Sequence, residues 1–141
     1  MNFSTRCMQA DDWTKISSFS LHEFSHPSFM GFEFMQWLDT LRKKCGIPFW
    51  ITSSYRTIEH NQLVGGADDS AHCDVPCNAV DIGESPRVSD PNWYHSRFLI
   101  VSNALASGCS RIGLYANGSI HLDMTADRRP GERIWRVVGN I

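Results

Sequence analysis

Long apolar runs are absent from this sequence of 141 residues. No stretch approaches the roughly 18 consecutive apolar residues that a membrane-spanning helix needs, so no span is predicted. Residues 1–7 also lack the basic and then apolar order of a signal peptide. We therefore expect synthesis in the cytoplasm, and that the protein either stays where it is made or is released by something else.

An excess of positive charge is also lacking, because 13 lysines and arginines face 15 aspartates and glutamates, for a net charge of −2. A nucleic-acid-binding domain or a polybasic membrane anchor would need a clustered basic surface. The composition therefore argues against nucleic acid and against a lipid surface as partners. With 42% hydrophobic and 20% charged residues, the chain is typical of a globular protein. We expect one domain over residues 1–141, and a monomer.

Cysteine occurs five times, and an odd number excludes a complete set of disulfides within one chain. Reduced thiols are expected, although the close spacing of Cys73 and Cys77 leaves a local disulfide open. The Gly65-Gly66 pair is not followed by Lys-Ser or Lys-Thr, which argues against a phosphate-binding loop. The sequence also contains no internal repeat.

Two segments have the periodicity of amphipathic helices. The first covers residues 31–45 and ends at Gly46. Its apolar stripe consists of Phe34, Leu38, Leu41 and Cys45. The second covers residues 93–107 and ends at Gly108. The stripe predicted for this second helix consists of Phe98, Val101 and Leu105. Residues 57–63 are predicted to form one or two further helical turns.

Five short segments rich in β-branched and aromatic residues predict β-strands. They are residues 48–53, 78–83, 111–115, 119–123 and 132–138. Asn117-Gly118 separates the third from the fourth and is a strong turn signal, so these two strands are expected to form a hairpin. Residues 1–29 are polar and serine-rich, and we expect them to wrap around a core of residues 30–141. The fold class is therefore α+β, with a small antiparallel sheet and helices packed on one side.

Three side chains that bind transition metals occur on or beside the predicted strands. His72 lies in the loop before the second strand, Asp81 lies within that strand, and His121 lies on the fourth. Two imidazoles and one carboxylate suit a catalytic zinc ion, which commonly keeps its fourth position for water. We therefore hypothesise that His72, Asp81 and His121 bind Zn²⁺. An alternative is a structural zinc site formed by His72, Cys73 and Cys77.

Asp123 is expected close to this metal site, because residues two apart on a strand share one face. It faces the same side as His121, whereas Ile120 and Leu122 face the other side, which we assign to the core. An aspartate in this position serves either as an acid or base or as a group that orients a ligand.

Several segments together resemble the M15-type zinc peptidases, which share the hedgehog/D-Ala-D-Ala peptidase fold. They are Ile51-Thr52-Ser53-Ser54-Tyr55-Arg56-Thr57, Gly65-Gly66-Ala67, Ser70-Ala71-His72, Ala79-Val80-Asp81-Ile82 and Ile120-His121-Leu122-Asp123. The resemblance extends over residues 30–137, and members of the family cut the stem peptides or cross-links of peptidoglycan. They include carboxypeptidases, endopeptidases and phage endolysins. The resemblance implies zinc held by His72, Asp81 and His121, and a peptidoglycan peptide as substrate. Residues 73–78 are expected to form a longer loop than in the family pattern.

Substrate contacts follow from the same resemblance. It implies that Arg56 contacts the substrate, and we predict Tyr55 and Ser70 as further substrate-binding residues. The planar guanidinium of Arg56 suits a carboxylate or a developing oxyanion, and a structural salt bridge at the strand end is the alternative. Ser70 alternatively positions the His72 loop or caps its turn.

The expected activity is zinc-dependent hydrolysis of peptide bonds in peptidoglycan, with phage lysis as one setting. Arg56 would orient or stabilise charge, and Asp123 would carry the proton. Many relatives have a catalytic carboxylate three residues before the last histidine, where this chain has Gly118. The alternatives to Asp123 as proton carrier are Glu59, Asp69 and Glu84. The alternative functions are a peptidase that acts on a protein substrate and a non-catalytic, zinc-stabilised binding module.

Overall fold

The computed structural model describes residues 6–87 and 90–137 of the chain. In chain order its helices and strands are α1 (Phe32–Cys45), β1 (Trp50–Ser53), α2 (Ile58–Leu63), β2 (Ala79–Gly83), α3 (Trp93–Ala106), β3 (Arg111–Tyr115), β4 (Ile120–Asp123) and β5 (Arg133–Val137). All the predicted helices and strands are present, with ends that differ by one or two residues at most. Val138, the predicted end of the last strand, lies outside the described residues. None of the described helices has the length and apolar character needed to cross a membrane.

The five strands form one sheet in the order β1-β2-β4-β3-β5. Neighbouring strands are antiparallel except for β3 and β5, which run parallel at one edge. The predicted α+β class is confirmed, and the parallel pair is an addition to the expected antiparallel sheet. β3 and β4 form the predicted hairpin, in which the N–H of Gly118 donates to the carbonyl of Tyr115 at 3.1 Å. Gly118 has a φ of +94°, which favours glycine in this turn.

The two faces of the sheet differ in chemistry because side chains alternate along each strand. On one face Ile82, Ile120 and Leu122 are fully buried and belong to the same apolar cluster as the inner residues of α1 and α3. α1 packs against α3, and α3 packs against β4. On the opposite face Asp81 of β2 lies directly across from His121 of β4. One face therefore forms the core, and the other presents polar side chains.

A bulge in β1 changes the face on which its side chains lie. Ile51 pairs with Ile82, whereas Ser53 pairs with the adjacent residue of β2, Asp81. Thr52 is therefore an extra residue that has no counterpart on β2. Ile51 lies on the apolar face and Ser53 lies on the polar face.

The stripe predicted for α3 was wrong at two of its three residues. Phe98 is 65% exposed and Leu105 is 47% exposed, while Val101 is partly buried. The buried residues of this helix are Trp93, Ser96, Ile100 and Ala104. The helix is apolar around most of its circumference, so periodicity alone does not identify its inner face. Ser96 lies on that face because its hydroxyl donates to Asp90 Oδ2 at 2.7 Å.

The described part of the segment before α1, residues 6–31, contains three 3-10 turns, Ala10–Lys15, Leu21–Glu23 and Pro27–Phe29. The residues that join it to the main core are Met8, Ile16, Phe19, Phe24 and Met30. The N–H of Cys77 donates to the carbonyl of Phe29 at 2.8 Å, and the N–H of Gly31 donates to the carbonyl of Cys77 at 2.9 Å. The loop between His72 and Asp81 is therefore anchored on this segment. Residues 1–5 of the predicted wrap lie outside the described residues.

Candidate metal centre

Local structure places three side chains at one point on the polar face of the sheet. His72 lies in a 3-10 turn, Ala71–Cys73, whose start is capped by the Ser70 hydroxyl as it accepts from the His72 N–H at 3.2 Å. Asp81 and His121 lie opposite each other on β2 and β4. The turn and the strand register together bring the three predicted ligands into contact.

The ligand atoms form a small triangle. His72 Nε2 lies 3.1 Å from Asp81 Oδ1 and 3.2 Å from His121 Nδ1. His121 Nδ1 lies 2.9 Å from Asp81 Oδ1. Two ligands about 2.0–2.1 Å from a tetrahedral zinc ion are separated by about 3.3 Å, which is close to these distances. All three residues are buried. The donor set and its spacing therefore fit zinc.

The outer nitrogen of each imidazole has a hydrogen-bond acceptor. His72 Nδ1 lies 2.6 Å from the carbonyl oxygen of Ser54, and His121 Nε2 lies 2.7 Å from Asp123 Oδ2. We assign the ring protons to these outer nitrogens, since an acceptor there fixes the tautomer. The inner nitrogens then carry lone pairs that face a third lone pair on Asp81. Such a group is stabilised either by a metal ion between the lone pairs or, without a metal, by a further proton on an inner nitrogen.

Charges around the triangle set the ionisation of its members. Burial by itself would lower the pKa of His121, but hydrogen bonds to Asp123 and Asp81 outweigh it and raise that pKa to about 9. Burial by itself would raise the pKa of Asp81, but the charge of His72 and the hydrogen bonds from both histidines hold it well below its usual range. In the metal-free protein a proton on His121 therefore supplies the positive charge, and Asp81 stays ionised.

The second oxygen of Asp81 is also fixed. Its Oδ2 accepts from the Tyr115 hydroxyl at 2.7 Å and from Arg56 Nη2 at 3.2 Å. The guanidinium of Arg56 also donates through Nε to Ser53 Oγ and through Nη1 to Asn61 Oδ1. The salt bridge considered as the alternative for Arg56 is therefore present, and its contact with substrate stays a prediction. Tyr115 was missed by the sequence analysis, although alternation along β3 places it on the polar face.

Asp123 has four hydrogen-bond donors around its carboxylate. Besides His121, Oδ1 accepts from Arg111 Nε at 2.8 Å, from the Thr125 hydroxyl at 2.6 Å and from the Thr125 N–H at 3.1 Å. Burial by itself would raise the pKa of Asp123, but these partners hold it below its usual range. Such contacts are suited to orienting His121, the second of the two roles expected for Asp123. Its catalytic role stays a prediction. Arg111 and Thr125 were not identified from the sequence.

A cavity of about 130 Å³ lies beside the ligands. Its lining consists of Arg56, Gly66, Ala67, Asp69, Ser70, Ala71, His72, Arg111, Tyr115, His121, Asp123, Trp135 and Val137. Of the predicted substrate-binding residues, Arg56 and Ser70 line it. Tyr55 lines a neighbouring cavity of about 210 Å³ and packs against His26 and Phe29. Of the alternative proton carriers, Asp69 lines the cavity beside the candidate metal ligands, whereas Glu84 lines a different cavity.

An indole fills the space at Gly118. A Cβ at this position would lie 2.8 Å from Trp93 Nε1, and that N–H donates to the Gly118 carbonyl at 3.2 Å. A longer side chain at position 118 would therefore displace Trp93. This packing explains in physical terms why the turn has no side chain here.

The cysteines do not join the metal group. Cys73 and Cys77 are free thiols, and His72, Asp81 and His121 form the one candidate metal group among the described residues. Burial raises the pKa of the Cys77 thiol to about 12, so it stays protonated near neutral pH and is a poor metal ligand. The structure therefore favours the His72, Asp81 and His121 set over the zinc site with two cysteines.

Comparison with known families agrees with this geometry. No curated protein matched the chain. A family model described as Peptidase M15 matches residues 9–123, which include the three ligands, Arg56, Asp69 and Asp123. The match covers most of the chain and ends before β5. The protein therefore belongs to the peptidase M15 family.

Proposed function

We propose that the protein is a zinc-dependent peptidase that hydrolyses the peptides of bacterial peptidoglycan. The observation that carries this proposal is the convergence of three lone-pair atoms, from His72, Asp81 and His121, at the wall of a cavity. Membership of the peptidase M15 family supports the peptidase activity. The motif resemblance described above supports peptidoglycan as substrate. A phage setting and action after release from the cell stay predictions.

The ligands are held in place before any substrate arrives. Ser54 fixes His72, Asp123 fixes His121, and Tyr115 with Arg56 fixes Asp81. Fixed ligands lose little conformational entropy on binding an ion, which supports high affinity. When bound, zinc supplies Lewis-acid chemistry, because it polarises a carbonyl and lowers the pKa of water to about 7.

We assign separate tasks to the charged residues of the cavity. Arg56 orients Asp81 and places positive charge on the cavity wall, where it opposes negative charge that develops on a carbonyl oxygen. Asp123 keeps the ring of His121 in one orientation. Asp69 is the carboxylate best placed to carry a proton, since it lines the cavity and its side chain is 87% exposed.

A digestion experiment tests this function. Purified zinc-loaded protein is incubated with purified peptidoglycan, defined muropeptides and a panel of proteins, and the products are weighed by mass spectrometry. We expect cleavage of a muropeptide peptide bond that stops when a chelator is added and that the His121→Ala variant lacks. Cleavage confined to the protein panel would replace the proposed substrate.

A non-catalytic, zinc-stabilised binding module is the second candidate. The observation that favours it is the packing of Trp93 against Gly118, which excludes a carboxylate from that position. In that case wild-type protein binds zinc and muropeptide, and no product of a cut appears. The digestion experiment therefore separates the two functions.

A further inference from the structure

Two arginines, Arg56 and Arg111, line the cavity beside the metal group. Every nitrogen of the Arg56 guanidinium donates to a protein acceptor, and the side chain is only 5% exposed. Its position is therefore set by the residues that surround Asp81. Arg111 is the second fixed cation of the cavity wall, and its contacts differ.

The guanidinium group of Arg111 has hydrogen-bond partners along part of its edge and an aromatic ring on one face. Its Nε donates to Asp123 Oδ1 at 2.8 Å, and its Nη1 donates to the carbonyl of Pro130 at 2.5 Å. The ring centroid of Trp135 lies 5.0 Å from its Cζ. Among residues 6–87 and 90–137, no acceptor is present for Nη2. The guanidinium is thus oriented in advance and keeps donors for a further partner.

The charges around the cavity favour an anion as that partner. Asp123 is paired with Arg111 and His121, and Asp81 is paired with Arg56. Asp69 is at the exposed rim, with its carboxylate 3.8 Å from Arg129 Nε. A divalent metal ion would add two positive charges to this wall. A guanidinium with free N–H groups binds a carboxylate through paired, charge-assisted hydrogen bonds.

We propose that Arg111 binds a carboxylate that the peptide substrate carries within two residues of the cleaved bond. This proposal rests on the peptidase function given above. In the hairpin, Arg111 lies opposite Asp123, and Gly113 lies opposite His121. Two residues along a strand span about 6.6–6.8 Å, which is also about the length of two residues of an extended substrate. The carboxylate therefore belongs to the residue that flanks the bond or to the next one.

Strand β5 contributes to this carboxylate site. Trp135 covers one face of the Arg111 guanidinium and lies 5.5 Å from the His121 ring, measured between ring centroids. It reaches this position because Gly113, its partner on β3, has no side chain. β5 lies beyond the residues 9–123 that match the family. The selectivity for a carboxylate is therefore determined in part outside the matched region.

The test uses zinc-loaded, full-length protein and a muropeptide in which each carboxylate is converted in turn to a primary amide. For one of these amides we expect kcat/KM to fall about 10- to 100-fold in the wild type, mainly through KM, since a charged hydrogen-bond pair is lost. Arg111→Gln should abolish this preference. Arg111→Lys should keep part of it, because lysine retains the charge and loses the fork. Arg133→Gln is the matched control, because Arg133 pairs with Arg111 across the sheet and lies outside the cavity.

A second readout does not depend on hydrolysis. Calorimetric titration compares the binding of N-acetylalanine and N-acetylalaninamide to zinc-loaded wild type, Arg111→Gln and Arg133→Gln. We expect the carboxylate to bind about 10-fold or more tightly than the amide, except in Arg111→Gln.

Two results would overturn the proposal. The first is that Arg111→Gln keeps the wild-type preference for the carboxylate over the amide and slows the cleavage of both substrates equally. This result would indicate that Arg111 acts only through Asp123. The second is no preference for a carboxylate in the wild type. If wild-type protein cleaves no peptide, the proposed function fails, and the binding comparison alone decides the role of Arg111.

Discussion

Replacing Tyr115 by phenylalanine tests most directly whether its hydrogen bond holds Asp81 in the orientation needed to bind a metal. The hydroxyl donates to Asp81 Oδ2 at 2.7 Å inside the protein, and the residue is only 4% exposed. Burial and the neighbouring Asp81 raise the pKa of Tyr115 above its usual value, so the hydroxyl stays a donor at any pH used for the assay. The substitution removes one hydrogen bond to a carboxylate and keeps the ring.

The expected magnitude follows from two estimates that agree. A hydrogen bond to a charged group contributes about 1.5–3 kcal/mol. A free energy of about 1.4 kcal/mol corresponds to a tenfold change in an equilibrium constant, so the zinc affinity should fall by about 10- to 100-fold. Loss of a residue that orients a metal ligand costs a similar factor of about 10 to 100 in other metal sites.

Competition with a chromophoric chelator at fixed pH measures this loss. Thermal unfolding with and without zinc shows whether the fold itself is intact. Tyr94→Phe is the matched control, because it removes the same hydroxyl from a residue that is 76% exposed on α3. A zinc affinity within twofold of the wild type would refute the conclusion that Tyr115 orients Asp81.

Three further predictions concern the same face of the sheet. Gly113→Ala places a methyl group 2.8 Å from Val137 Cγ2 and 3.1 Å from His121 Cβ. Chemical denaturation should therefore show that the free energy of unfolding falls by about 1–3 kcal/mol. An unchanged denaturation midpoint would contradict the packing described. Because the pKa of His121 is raised to about 9 in the metal-free fold, its stabilising effect is complete below about pH 6.5 and is lost as the pH rises through 9. In chelator, the melting temperature should be lower at pH 9.5 than at pH 6.5, and bound zinc should abolish this difference. A higher melting temperature at pH 9.5 in chelator would contradict a stabilising effect of the protonated histidine. Asp123→Asn should weaken zinc binding about 10- to 100-fold, whereas Asp69→Asn should leave zinc binding intact and lower kcat about 10²- to 10⁴-fold; the opposite pattern would exchange the two roles.

The grouping of the candidate metal ligands was partly predictable because the chemistry and the alternation of a strand point to the same residues. His121 and Asp123 lie two positions apart and face the same side, as the period of a strand requires. The convergence of His72 with them was expected from family resemblance, since a loop residue has no periodicity to guide it. The capping serine before His72 then gives the local reason for its position.

Other features depend on packing that sequence patterns do not contain. α3 is apolar around most of its circumference, so the sheet and α1, rather than the helix itself, decide that Ile100 is inside and Phe98 outside. β3 and β5 pair in parallel and are not joined by a tight turn, so no local turn signal predicts their pairing. The contacts of Arg111 and Tyr115 likewise require strand register, because long polar side chains are common on sheet surfaces without such roles.

The extra residue in β1 has a consequence for what deletions this protein tolerates. A regular strand would put Ile51 and Ser53 on the same side, so one of them would be misplaced. With Thr52 inserted, the four-residue strand places Ile51 towards the hydrophobic interior and Ser53 towards the candidate metal site. Removing that single amino acid would make Ile51 and Ser53 consecutive in a regular strand, where they still lie on opposite faces, so Ser53 would keep its pairing with Asp81 and the Ser54 carbonyl and Arg56 would keep their direction.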